Sequence, residues 1–269
     1  MNKITIYLLA LLALVGLAGC KEGGFEPEPE TGVGKLSTAR LMLSISNEEL
    51  RKSASWTHSV ELADFVVDIL KDGETVRTYR YADMPGVIEL PVGTYTAKAH
   101  LGENPEADWE APYYAGESEP FAIVKDRITE AQTIVCKLAN VRVTIVYTEE
   151  LLKHMADDAK VNVVMGDDAT LSFAKTETRS GYFAYLEGSN TLAATFDGDV
   201  DGVHETSSRV HTDVAPGTHY RITYTLHTPG SDPNASGNIV PGLTVDAKVE
   251  VVDMKINVDP GDDDRPGGG

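Results

Sequence analysis

The sequence predicts an all-β fold: two tandem Ig-like β-sandwiches behind a lipoprotein signal peptide and a flexible tether. Three observations predict it. Short stretches with apolar residues at every second position recur from Lys35 to Val258, separated by Pro- and Gly-containing turns. One corner motif occurs twice, as Leu90-Pro91-Val92-Gly93-Thr94-Tyr95 and as Ala215-Pro216-Gly217-Thr218-His219-Tyr220. The longest apolar run stands at the N-terminus and ends at a cysteine.

That first element runs from Ile4 to Ala18 behind the single cation Lys3 and closes on Leu17-Ala18-Gly19-Cys20. A charged start, an apolar middle and small residues before a cysteine resemble the bacterial lipobox. In lipoproteins of that kind the leader is cut before the cysteine, which is then acylated. Residues 1–19 are therefore the expected signal peptide, and Cys20 the expected lipid attachment site. The run is short of the ~20 residues a spanning helix needs, so lipid is the expected anchor, in the outer membrane.

Residues 20–34 form the expected tether. Four glutamates, Pro27, Pro29 and four glycines cannot bury a core, and the like charges keep the segment extended. Surface-exported lipoproteins of the Bacteroidetes type carry acids just after the cysteine, often a lysine followed by two acids. Lys21-Glu22 fits that pattern and Gly23 departs from it. The expected display is toward the cell exterior.

The charge balance agrees with such a place. Lys and Arg number 23 against 42 Asp and Glu, a formal charge of −19. Loss of Lys3 with the leader makes the mature chain more negative still. This argues against nucleic acid as a partner and against basic-patch adhesion to anionic lipid. With Cys20 lipidated, Cys136 is left alone, so no internal disulfide can form and the core must carry the fold.

The first sandwich is expected over residues 35–139. Leu41, Leu43 and Ile45 share one strand face, as do Phe65, Val67 and Ile69 in Leu62–Leu70. Lys71-Asp72-Gly73 reads as a hairpin turn, with Glu74–Tyr81 as the return strand. Val87–Leu90, Tyr95–Leu101, Phe121–Val124 and Thr133–Leu138 follow. Ile134, Cys136 and Leu138 alternate, so Cys136 reads as a small core residue and not as a nucleophile.

The second sandwich is expected over residues 140–258. Val141, Val143 and Ile145 alternate. Thr148 then stands before Glu149 and Glu150 as the N-cap of a short helix, with Leu151, Leu152 and Met155 facing inward. Strands follow at Val161–Met165, Thr170–Ala174, Tyr182–Leu186, Leu192–Phe196, Arg209–Val214, Tyr220–Leu226 and Val245–Val258. Residues 259–269, all Asp, Pro, Gly and one Arg, are the expected disordered tail. In the repeated corner, Gly93-Thr94 and Gly217-Thr218 lie 124 residues apart. Tyr95 and Tyr220 are expected to reach back and hydrogen-bond the preceding corner, as in Ig-like sandwiches.

Gly34-Lys35-Leu36, the Leu90-Pro91-x-Gly93-x-Tyr95 corner, Tyr113-Tyr114-x-Gly116 and Cys136-Lys137-Leu138-Ala139-Asn140-Val141 carry a resemblance. Through them the chain resembles a Bacteroidetes family of two-domain surface lipoproteins, filed as a domain of unknown function. That family is distantly similar to fimbrillin and fimbrial anchor proteins. The resemblance covers about residues 33–258. It implies tandem β-sandwiches, no known catalysis, and a role in adhesion or fimbria-like assembly with other surface proteins as partners.

Catalytic patterns are missing from the sequence: no nucleophile elbow, no phosphate-cradling Gly loop, no His/Cys metal spacing. His219 and His227 share a strand face but lie about 27 Å apart at strand rise. The expected function is therefore non-enzymatic, and no cofactor is required. Asp197-Gly198-Asp199-Val200-Asp201-Gly202 has the D-x-D-x-D-G spacing of a calcium loop, which makes Asp197, Asp199 and Asp201 candidate metal ligands. Position twelve is Ser208 where an EF-hand has Glu, and the alternative is an acidic turn between strands. Trp109, Tyr113 and Tyr114, in an aromatic-rich loop, are the candidate ligand-binding residues, able to stack on a glycan or anchor a protein. Their alternative role is to cap the first core. A glycan-binding lipoprotein of a polysaccharide-uptake system is thus the alternative function.

Overall fold

The computed structural model describes residues 31–39, 41, 43–45, 60–188, 191–227 and 244–253. The expected leader, Cys20, the tether through Glu30, the end of the last expected strand and the 259–269 tail lie outside the described residues. The described chain is all-β apart from one short α-helix and two single-turn 3₁₀ segments.

The first half contributes β1 (Val33–Ser37), β2 (Leu43–Ile45), β3 (Val66–Lys71), β4 (Glu74–Arg80), β5 (Val87–Pro91), β6 (Gly93–Leu101), β7 (Ala107–Trp109), β8 (Tyr114–Glu117), β9 (Phe121–Ile123), β10 (Ile128–Glu130) and β11 (Ile134–Leu138). A three-stranded sheet, β10-β1-β5, faces a larger one ordered β2-β11-β8-β6-β3-β4, with β9 paired to β6. Between them Leu36, Phe65, Val67, Ile69, Ile88, Leu90, Ile134 and Cys136 are buried in one core. The expected alternations, Phe65/Val67/Ile69 and Ile134/Cys136/Leu138, all point into it. Lys71 pairs with Glu74 across the expected turn, and Asp72 and Gly73 have φ of 54° and 82°, the two positive values of a type I′ hairpin.

Two sequence expectations need correction in this half. β1 starts at Val33, inside the expected tether, and buries Leu36. Gly34 belongs to it because a side chain there would meet the Val124 carbonyl oxygen at 2.3 Å. The segment expected as an aromatic loop also carries two short strands, β7 and β8.

The second half contributes β12 (Val141–Tyr147), α1 (Glu149–His154), β13 (Lys160–Met165), β14 (Ala169–Ala174), β15 (Gly181–Phe183), β16 (Leu192–Val200), β17 (Val203–His211), β18 (Thr218–His227) and β19 (Thr244–Asp253). Its sheets are ordered β19-β18-β12-β15-β7 and β14-β13-β16-β17. Val141, Val143, Leu151, Val161, Val163, Phe173, Phe183, Phe196, Ile222 and Tyr224 fill the core between them. The helix forms as its sequence predicts. Thr148 is extended, its hydroxyl accepts from the Leu151 amide, and Leu151 and Met155 are buried.

Both corners close as expected. The Tyr95 hydroxyl donates to the Pro91 carbonyl at 2.8 Å, and the Tyr220 hydroxyl accepts from the Ala215 amide at 3.2 Å. Each ring is buried, so the hydrogen bond satisfies a polar tip that would otherwise be stranded in the core.

Candidate functional site

The aromatic segment lies where the halves meet. β7 belongs to the first half by sequence and to the second half's sheet by pairing: Gly181 opposes Trp109, Tyr182 opposes Asp108, and Phe183 opposes Ala107. The Trp109 indole is half-buried. The Phe173 ring meets it edge-on with centroids 4.7 Å apart, and the Arg179 guanidinium lies over it at 4.7 Å. Arg179 is itself held by Glu177, through Nε at 3.0 Å and Nη2 at 2.7 Å. Those bonds from Arg179 push the Glu177 carboxyl down to about 2.

Tyr114 and Tyr113 go elsewhere. Tyr114 is buried in the first core, where desolvation raises its phenol well above the usual range, with Tyr182 adding to the shift. Tyr113 is half-buried on the seven-stranded sheet, its ring centroid 6.1 Å from that of His100. The three candidate ligand-binding aromatics thus sit in three different settings and do not converge on one surface.

The acidic sequence at 197–202 is a hairpin. β16 and β17 pair continuously from Leu192↔His211 to Val200↔Val203, and Asp201-Gly202, with φ of 52° and 78°, makes the two-residue turn. The strand expected to stop at Phe196 therefore runs on to Val200, and its partner starts at Val203. In an extended strand Asp197 and Asp199 share a face. There His204 bridges them, Nε2 to Asp197 at 3.3 Å and Nδ1 to Asp199 at 3.2 Å. Asp201 turns to the end of α1, where His154 Nδ1 lies 3.0 Å from its carboxylate and Nε2 lies 3.3 Å from Glu150. The hydrogen bond to Asp201 holds the His154 imidazole above the ordinary histidine range. Each of the three candidate metal ligands thus faces a histidine. Among the described residues no group of three or more His, Cys, Asp or Glu side chains is placed to hold a metal ion.

Two other titratable side chains are inward. Cys136 is fully buried, and burial pushes its thiol up to about 12, which leaves no thiolate for nucleophilic work. His219 is buried too, its Nε2 2.9 Å from the Thr144 hydroxyl. Burial first, then the charges of Arg142 and Arg221, pushes it down to about 3. A cavity of about 170 Å³ opens between Glu106, the 166–168 turn and Ala184, floored by Met165 and Ala169.

Sequence reasoning missed Arg142, Ser180 and Tyr182, which sit beside Trp109 and Tyr114 at the junction. Arg142 Nε donates to the Ser180 hydroxyl at 2.8 Å. Asn140, in contrast, stands within the Cys136–Val141 run that carries the resemblance, and that run was the available signal. Its side-chain amide donates to the Ala111 carbonyl at 2.8 Å, and its amide oxygen accepts from the Tyr113 N–H at 3.3 Å.

The model of a family described as a domain of unknown function, DUF4493, matches residues 34–260. No curated protein matches. Among solved structures, a candidate cell adhesion protein of Bacteroides eggerthii is 13% identical with a TM-score of 0.42, the match covering 82% of this chain and 97% of that one. A fimbrial assembly protein of Parabacteroides distasonis is 12% identical at TM-score 0.41, covering 84% and 99%. A candidate polysaccharide binding protein of Bacteroides thetaiotaomicron is 13% identical at TM-score 0.41, covering 72% and 92%.

Proposed function

The chain belongs to the DUF4493 family, and from that premise we propose that it is a non-enzymatic, lipid-anchored protein of the outer membrane surface, acting as an adhesion or fimbria-associated module. The observation that carries this reading is the Leu17-Ala18-Gly19-Cys20 sequence, followed at once by Lys21-Glu22 and an acidic, Pro- and Gly-rich segment. Lipid at Cys20 needs no spanning helix, and no helix among the described residues is long and apolar enough to cross a membrane. More than one acyl chain holds a protein stably, at ~0.8 kcal/mol per buried methylene.

What stands beyond the tether offers strand edges and loops as recognition chemistry. β19 ends its sheet, and an edge strand can take up a strand of another chain, with backbone hydrogen bonds supplying affinity. A protein partner is therefore the primary reading. For the glycan alternative, Tyr113 beside His100 on the sheet face is the ring best placed for stacking, because the Trp109 indole is already engaged by Phe173 and Arg179.

The anchor is tested by Cys20→Ser with a fatty-acid probe. The variant is expected to remain as an unlabelled precursor or soluble form, while wild type takes up label and fractionates with outer membrane. A labelled, membrane-bound Cys20→Ser protein would refute the reading.

A further inference from the structure

We propose that the two sandwiches open and close as one cooperative unit, clasped by an exchange of elements across the seam at residues 139–140. The exchange runs in both directions. From the first half, β7 crosses over and ends the five-stranded sheet of the second. Just beyond it Glu110 fastens to Ser180 twice: its N–H donates to the Ser180 carbonyl at 2.9 Å, and its carboxylate accepts from the Ser180 N–H.

From the second half, β15 sends a ring back. Side chains alternate along a strand, so the three residues of β15 divide between two cores. Phe183 packs in the second core, whereas Tyr182, 1% exposed, packs in the first. Arg142, 5% exposed on β12, reaches Ser180 at the same junction.

The connection itself is pinned. Asn140 holds Ala111 and Tyr113 with its side chain, and its carbonyl accepts from the Gly217 N–H at 3.0 Å. The Ala139 N–H donates to the Tyr113 carbonyl at 2.7 Å.

Opening the first half alone would expose Tyr182, leave β15 paired to β12 alone with its other edge bare, and uncover the Arg142–Ser180 pair. Opening the second alone would expose the face of Trp109 that meets Phe173. Buried polar groups and strand edges that lose their partners make each partial opening costly. The seam therefore behaves as a clasp and not as a hinge, and the module holds its far end at a fixed orientation to the end that carries the tether.

The test is native-state hydrogen exchange on the full mature chain with a mild variant on each side. Ile69→Val removes one methylene from the first core, and Val163→Ala removes two methyls from the second. Exchange is read at β3 and β6 in the first half and at β13 and β16 in the second. Each variant is expected to lower protection in both halves by the same factor, because the slow amides of both exchange through one shared opening. Ile69→Val is conservative enough to fold, so the first arm stands even if Val163→Ala does not. A loss of protection confined to the half that carries the substitution would overturn the proposal.

Discussion

Tyr95 and Tyr220 each tie down the corner before them with one hydroxyl hydrogen bond, to the Pro91 carbonyl and from the Ala215 amide. A repeated Pro, Gly, Thr, Tyr signature named both, and both hydroxyls reach back to their own corners. The partner lies four or five residues upstream, so the information is local. Trp109 was legible only as an aromatic with something to hold. Its partners, Phe173 and Arg179, are more than sixty residues away, and no spacing rule reaches them. Trp109→Ala is expected to lower stability by about 3 kcal/mol, near the small end for loss of a large buried ring. Trp109→Phe should lose much less, and urea midpoints of the two variants measure the difference. His219 supplies a pH prediction with a definite sign. The unfolded chain protonates it near 6.5 while the fold keeps it neutral down to about 3, so stability falls as pH drops through that window. His219→Gln can keep the contact with Thr144 and cannot titrate. Its urea midpoint is expected to fall less between pH 7 and pH 4 than that of wild type.

At the scale of elements, strands with apolar residues on one face were legible, and β4, which buries none, was legible only through the hairpin turn before it. β3, β6, β11, β12 and β13 bury alternate apolar residues, and the sequence pattern found all of them. β17 escaped over its first half because the positions opposing Val200, Gly198 and Phe196 are Val203, Glu205 and Ser207. With polar residues on both faces the alternation vanishes, and the acids opposite read as a loop. β7 escaped because three residues are too few to show a period. The hairpin yields two tests. Gly198→Ala would set a side-chain carbon 2.3 Å from the Ala159 Cβ, an overlap expected to cost about 1–3 kcal/mol. Gly202→Ala meets no neighbour within 4 Å, and its cost, about 1 kcal/mol, comes from the positive φ alone. Thermal melts of the pair should rank in that order. His154 adds a proton-linked contact of opposite sign to His219. Its folded value lies above the ordinary 6.5, so its stabilising effect is full below 6.5 and disappears as pH rises through the folded value. Histidine ring titration by NMR should place His154 above the ordinary 6.5, and Asp201→Asn should bring it down.

For the whole molecule, the fold class was in the sequence, since alternation and turn residues are local patterns. The crossing of β7 and Tyr182 between cores was not, because a pattern confined to short windows cannot say which core a side chain enters. The adhesion or fimbria-like association we propose would likewise rest on exposed edges, on which any β-protein presents ordinary polar residues. The most direct measurement is therefore chemical crosslinking on intact cells, comparing wild type with Tyr113→Ala and with a proline at Val251 in β19, each first shown to be folded and surface-displayed. Wild type and Tyr113→Ala are expected to capture the same surface protein, and the Val251→Pro variant to lose it. Capture that survives the proline variant and disappears with Tyr113→Ala would contradict strand-edge adhesion and turn the assignment to glycan recognition.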